Sequence, residues 1–94
     1  MAELELFLIT YNRKDKLQQT LRSLLDEQSP LSHRPLTVLD NASTDGTSEW
    51  LQSFCPAYPH IHYIRHSKNI GGNANIARAF EMARAEYVWV LCDD

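Results

Sequence analysis

Residues Leu36 to Thr47 read LTVLDNASTDGT. The apolar run Leu36–Leu39 is too short for a helix and rich enough in branched side chains for a strand. It stops at Asp40-Asn41, and Ser43, Thr44, Asp45, Gly46 and Thr47 are residues that turn a chain and start helices. A second helix is expected from Gly46 or Thr47, carrying Trp50, Leu51 and Phe54 inward until Pro56 and Pro59 forbid its continuation. A strand that enters a turn and then a helix is half of a parallel βαβ unit.

The same grammar repeats outward from this stretch. Upstream, Leu4 to Thr10 (LELFLIT) reads as a strand that ends in polar Tyr11-Asn12-Arg13. Leu17, Leu21, Leu24 and Leu25 then form one apolar helical stripe, with Asn12 as its expected cap and Asp15 favourable in its first turn. Downstream, Ile61 to Ile64 (IHYI) is a more polar strand, which places it near a sheet edge. A helix from about Asn73 to Arg84 should face inward with Ile76, Phe80 and Ala83, and Tyr87 to Cys92 (YVWVLC) is a fourth strand ending at Asp93-Asp94. Trp50 and Trp89 are expected in the core. The alternation predicts an α/β domain, a doubly wound, Rossmann-like parallel sheet of order 3-2-1-4 with helices on both faces.

Composition narrows the function classes. The 94 residues are 44% hydrophobic and 22% charged, which suits one small globular domain. Nine basic residues are scattered over a chain of net charge −3, so no nucleic-acid footprint is expected. Two cysteines, Cys55 and Cys92, make no disulfide framework and fit a reduced, cytoplasmic setting. No apolar segment is long enough for a membrane span, so membrane association would have to come from sequence outside the chain. A domain seldom stops at the end of a buried strand. Residues 1–94 are therefore read as one piece of a longer domain.

In an open parallel sheet, ligands bind beyond the carboxyl ends of the strands. The four ends here are Thr10-Tyr11-Asn12-Arg13, Asp40-Asn41, Asn69-Ile70-Gly71-Gly72-Asn73 and Asp93-Asp94, all polar and all on one edge. Two adjacent carboxylates after an apolar strand repel each other unless a hard divalent ion, Mg²⁺ or Mn²⁺, neutralises them; a solvated strand end is the bland alternative. Asp40 can accept a hydrogen bond from a base N–H or a ribose hydroxyl, or Asp40 and Asn41 can simply open an Asx turn. Gly71-Gly72 lets backbone approach an anion at a helix start, but matches neither a dinucleotide fingerprint nor a Walker loop. Tyr11 either stacks on a planar base or packs at the strand end, and Arg78 either reaches a phosphate or belongs to a solvated helix face. The four histidines offer no metal-ligand spacing, and neither cysteine has a base partner.

Taken together, LITYNR at 8–13, LDNASTDGT at 39–47, NIGGNANIARA at 69–79 and YVWVLCDD at 87–94 resemble the inverting GT-A glycosyltransferases of family 2. The resemblance runs over essentially the whole chain. It implies that Thr10, Tyr11, Asn12, Arg13, Asp40, Asn69, Gly71, Gly72, Arg78 and Asp93 bind a nucleotide-diphosphate sugar, a UDP- or dTDP-sugar. It implies that Asp94 binds the Mg²⁺ or Mn²⁺, as part of a DxD-type motif. It further implies that the catalytic base and the glycan or lipid-linked acceptor belong to sequence outside these residues, so this segment alone should be inactive. The implied product is a polysaccharide or cell-surface glycan. A non-catalytic nucleotide-binding or protein-interaction module with the same core is the alternative. A phosphotransfer receiver would want acids after the first strand, where Thr10-Tyr11-Asn12 stand.

Overall fold

The computed structural model describes residues 3–92. In chain order they form β1 (Leu4–Thr10), α1 (Lys14–Leu25), β2 (Leu36–Asp40), α2 (Thr47–Phe54), a short 3-10 turn (Cys55–Ala57), β3 (Ile61–Arg65), α3 (Gly72–Met82) and β4 (Tyr87–Cys92). The strands make one parallel sheet of order β3-β2-β1-β4. Central position explains the sequence character of each strand. All five residues of β2 and the last five of β1 are buried, because helices cover both faces there. The edge strands β3 and β4 alternate instead, and only their inward residues are apolar by necessity.

Alternation sorts the core into two unequal halves. Leu6 and Leu8 of β1, Leu36 and Val38 of β2 and Ile61 of β3 share one face, packed under Leu17 and Leu21 of α1 and Leu51 of α2. Each fully buried leucine contributes roughly 1.5–3 kcal/mol, so this face carries most of the stabilising burial. The other face holds Phe7 and Leu39 under Ala79 of α3. A flank of stacked rings, Trp50 on Phe54 (centroids 4.6 Å apart) and Phe54 on Tyr58 (4.8 Å), closes the first core at its rim.

Three expectations need correction. Helix α3 turns inward not with Phe80, which is 59% exposed, but with Asn75 and Ala79, both fully buried. Asn75 can be buried because both ends of its amide are used: Nδ2 donates to Leu39 O (3.2 Å) and Oδ1 faces His66 Nε2 (2.8 Å). Small Ala79 then lets the helix lie close to Phe7 and Leu39. Trp89 is 50% exposed, since it stands on the α1/α2 face of the edge strand β4, which those helices do not cover; Trp50 is half-buried in the ring stack. Asn12 does not cap α1. Arg13 takes the cap position without a side-chain bond, and Asn12, in left-handed backbone (φ 50°), turns to a neighbouring loop. Among the described residues no helix is long and apolar enough to cross a membrane.

Candidate functional site

Register decides which residues meet. Thr10 stands beside Asp40, Asp40 beside Arg65, and Ile9 beside Cys92. The carboxyl ends of all four strands therefore share one edge, and a cleft of about 290 Å³ opens there. Its lining is Ile9, Thr10, Tyr11, Arg13, Asn41, Asn69, Gly71, Gly72 and Cys92. Roomier clefts exist elsewhere. One of about 430 Å³ at the strands' amino ends is lined by Glu3, Leu4, Glu5, Arg34, Pro35, Arg84 and Ala85. Size does not select between them, whereas the convergence of loop backbone, helix start and polar strand tips does.

The floor beneath the cleft is built around Asp40, which is fully buried. Ala42 adopts left-handed backbone (φ 64°), at a cost of roughly 1–2 kcal/mol for a residue with a Cβ. That bend returns Ser43 to Asp40, whose Oδ1 accepts both the Ser43 N–H (3.2 Å) and its hydroxyl. Asp40 Oδ2 is closed from solvent and has no hydrogen-bond partner. Arg65 supplies charge but not a bond: its Nε is 3.8 Å from that oxygen, while its Nη2 donates to Ser43 O (3.2 Å). Arg65 was not singled out by sequence, because a basic residue at an edge strand's end carries no signal until the register is known.

Around this floor the loops are cross-tied. Asn12 N–H donates to Ser43 Oγ (2.8 Å), and Asn12 Oδ1 accepts the Thr44 N–H (2.6 Å). Its amide is spent on the neighbouring loop, and Asn12 is not part of the cleft lining. Asp45 joins the starts of two helices. Oδ1 accepts from the Thr47 N–H and hydroxyl at the head of α2, and Oδ2 accepts from the Lys14 N–H (3.0 Å) at the head of α1. Burial alone would raise this carboxyl; the bonds from Thr47 and Lys14 outweigh it and hold Asp45 below the ordinary value of 3.8. On the other wall, Asn41 Oδ1 accepts the Ile70 N–H (2.9 Å) and Nδ2 donates to Asn69 Oδ1 (2.7 Å). Gly71 has φ 86° and ψ 155°, a backbone open essentially to glycine alone. Its N–H goes to Asn69 Oδ1 (2.8 Å) rather than into the cleft.

The fold thus gathers Thr10, Tyr11, Arg13, Asn69, Gly71 and Gly72 around one space, with Asp40 beneath it. Arg78 is not brought there: its Nη1 is held by Glu81 Oε2 (2.8 Å), and both side chains are more than half exposed. Asp93 and Asp94 lie outside the described residues. Cys92, the residue before them, lines the cleft and is exposed. Among the described residues no carboxylate lines the cleft.

A family model described as glycosyl transferase family 2 matches residues 6–94, nearly the full length. The chain belongs to glycosyltransferase family 2. Among curated relatives, abequosyltransferase RfbV of Salmonella typhimurium is 34% identical over 86 residues, which cover 90% of this chain and 26% of that protein. The chain therefore spans about a quarter of that relative's length. Among solved structures, the mannosyltransferase PcManGT of Pyrobaculum calidifontis, in complex with GDP-Man and Mn²⁺, superposes with a TM-score of 0.83 at 21% identity. That match covers 99% of this chain and 28% of the other. S. aureus TarS 1–349, in complex with UDP, gives 0.80 at 22% identity over 98% of this chain and 27% of its own. At these identities the likeness shows the fold, the GT-A arrangement of family 2 with its sheet order 3-2-1-4.

Proposed function

We propose that the protein carrying this chain is a glycosyltransferase of glycan synthesis, and that residues 1–94 form its donor-binding part. The donor is a UDP- or dTDP-sugar held with Mg²⁺ or Mn²⁺. One observation carries the reading: the carboxyl ends of four strands of a family 2 fold, with polar residues after β1, β2 and β3, open into a single cleft above a buried, half-satisfied Asp40. As a hydrogen-bond acceptor, Asp40 Oδ2 favours a base that offers a ring N–H at its Watson–Crick edge. Uracil and thymine offer one at N3 and guanine one at N1, whereas N3 of cytosine is an acceptor. Because Oδ2 is closed from solvent, the base reaches it by displacing its cover, and binding then relieves an orphaned acceptor worth about 1–3 kcal/mol.

Within this reading Tyr11, 43% exposed at the rim, offers a face for the base, and stacking contributes about 1–3 kcal/mol. The Asn69–Gly72 loop walls the nucleoside, and Arg13 stands ready for a phosphate. The family resemblance assigns Asp93 to the ribose and Asp94 to the metal. A bound divalent ion supplies charge neutralisation on the departing diphosphate. The acceptor hydroxyl attacks the anomeric carbon in line, with inversion, and its proton goes to a base outside these residues.

The test is a titration of the protein with UDP, dTDP, GDP and CDP, with and without Mn²⁺. UDP or dTDP should bind at least tenfold more tightly than CDP, gain from Mn²⁺, and lose about 100-fold in Asp40→Ala, a loss of roughly 2.7 kcal/mol. No response to any nucleotide, with or without metal, overturns the reading.

A further inference from the structure

We propose that Asn41 is a positioning residue whose side-chain amide latches the Asn69–Gly71 loop to the end of β2, shaping the cleft wall before a ligand arrives. The role in binding rests on the nucleotide reading above; the latch itself does not. As a turn residue Asn41 would need only its backbone. Instead it is 3% exposed, its N–H continues the sheet by donating to Thr10 O (3.0 Å), and both ends of its amide bond the Asn69–Gly71 loop. Oδ1 takes the Ile70 N–H, Nδ2 gives to Asn69 Oδ1, and that same oxygen takes the Gly71 N–H. Two side-chain amides and two backbone N–H groups thus form one connected network.

The loop needs such a hold. Asn69, Gly71 and Gly72 are exposed, so they bury little apolar surface to fix the loop, and Gly71 sits in a backbone region that few residues adopt. An anchor at the buried end of a central strand supplies what packing does not. A wall already ordered spares the ligand the entropic cost of ordering it. Asn41 also lines the cleft, so a direct contact with ligand is the competing account, and the two are separable.

The experiment compares Asn41→Ala, Asn69→Ala and the double variant in the protein that carries this chain. The first readout is hydrogen exchange of the Ile70 and Gly71 amides without nucleotide; the second is affinity for UDP. With the latch, both amides lose protection in either single variant. Each single variant binds UDP about tenfold more weakly, and the double variant is no worse than either. Losses that multiply to about 100-fold in the double variant mean independent ligand contacts and overturn the proposal. Unchanged protection of Ile70 and Gly71 in Asn41→Ala overturns it whatever the nucleotide does. Should the unaltered protein ignore UDP, the nucleotide reading falls while exchange still decides the latch. If Asn41→Ala does not fold, exposed Asn69→Ala decides alone: Ile70 must lose protection although its own acceptor on Asn41 is untouched.

Discussion

The two loops that wall the cleft are built on opposite plans. The Asp40–Gly46 loop is braced from within and from its neighbour. Asp40 holds Ser43, Asn12 holds Thr44, and Asp45 ties α1 to α2. The Asn69–Gly72 loop has open space around its glycines and is tied through Asn41. The first has Asp40, Asn41 and Ser43 buried, and the second is an exposed arm fastened to it. In the proposed donor site the first would be a fixed reader of the nucleotide and the second a wall ordered before it arrives.

Breaking the braced loop should cost most. Asp40→Ala removes the acceptor of Ser43 and strands Arg65, and should lower stability by about 2 kcal/mol, read as a fall in urea midpoint. A drop no larger than that of Asn69→Ala would erase the contrast. Next, Gly71→Ala should cost about 1–2 kcal/mol because φ 86° strains any side chain. Gly72→Ala, whose Cβ meets nothing within 4 Å, should stay within about 0.5 kcal/mol in the same assay.

A smaller effect should come from Asp45→Asn, about 1 kcal/mol, with a pH signature. Its folded carboxyl titrates below 3.8, so its contribution is fully present above that value and is lost as pH falls through the lowered one. Acid unfolding of the Asn variant should be flatter in that window, and equal slopes would show that the carboxylate is not braced. Least of all, Ala42→Gly exchanges relief of a left-handed residue for a floppier unfolded chain, and thermal melting should move it by no more than about 0.5 kcal/mol.

The frame could be read from the sequence because it rests on local patterns. Leu4–Thr10 and Tyr87–Cys92 are short, mostly apolar runs whose ends match the observed strands, and the polarity of Ile61–Ile64 marked an edge. Where the reading failed, a polar side chain had found partners far along the chain. Asn75 displaced Phe80 from the inner face of α3 because Leu39 and His66, distant or in another element, satisfy its amide. Asn12 looked like a cap since capping is local, yet its partner is Thr44, 32 residues away. Asn41 read as a turn former for the same reason, and its partners lie 28 and 29 positions on. The strand-end residues that line the cleft were visible; the side chains that fasten the loops together were not.

Asp45 has a consequence for how such a chain emerges from a ribosome. The carboxylate that receives the first amide of α1 lies 31 residues downstream of it. During synthesis the head of that helix stays unfinished until the second strand and its turn have been delivered. Helix α1 thus waits for its successor, and both helices should gain their final amino ends in a single step.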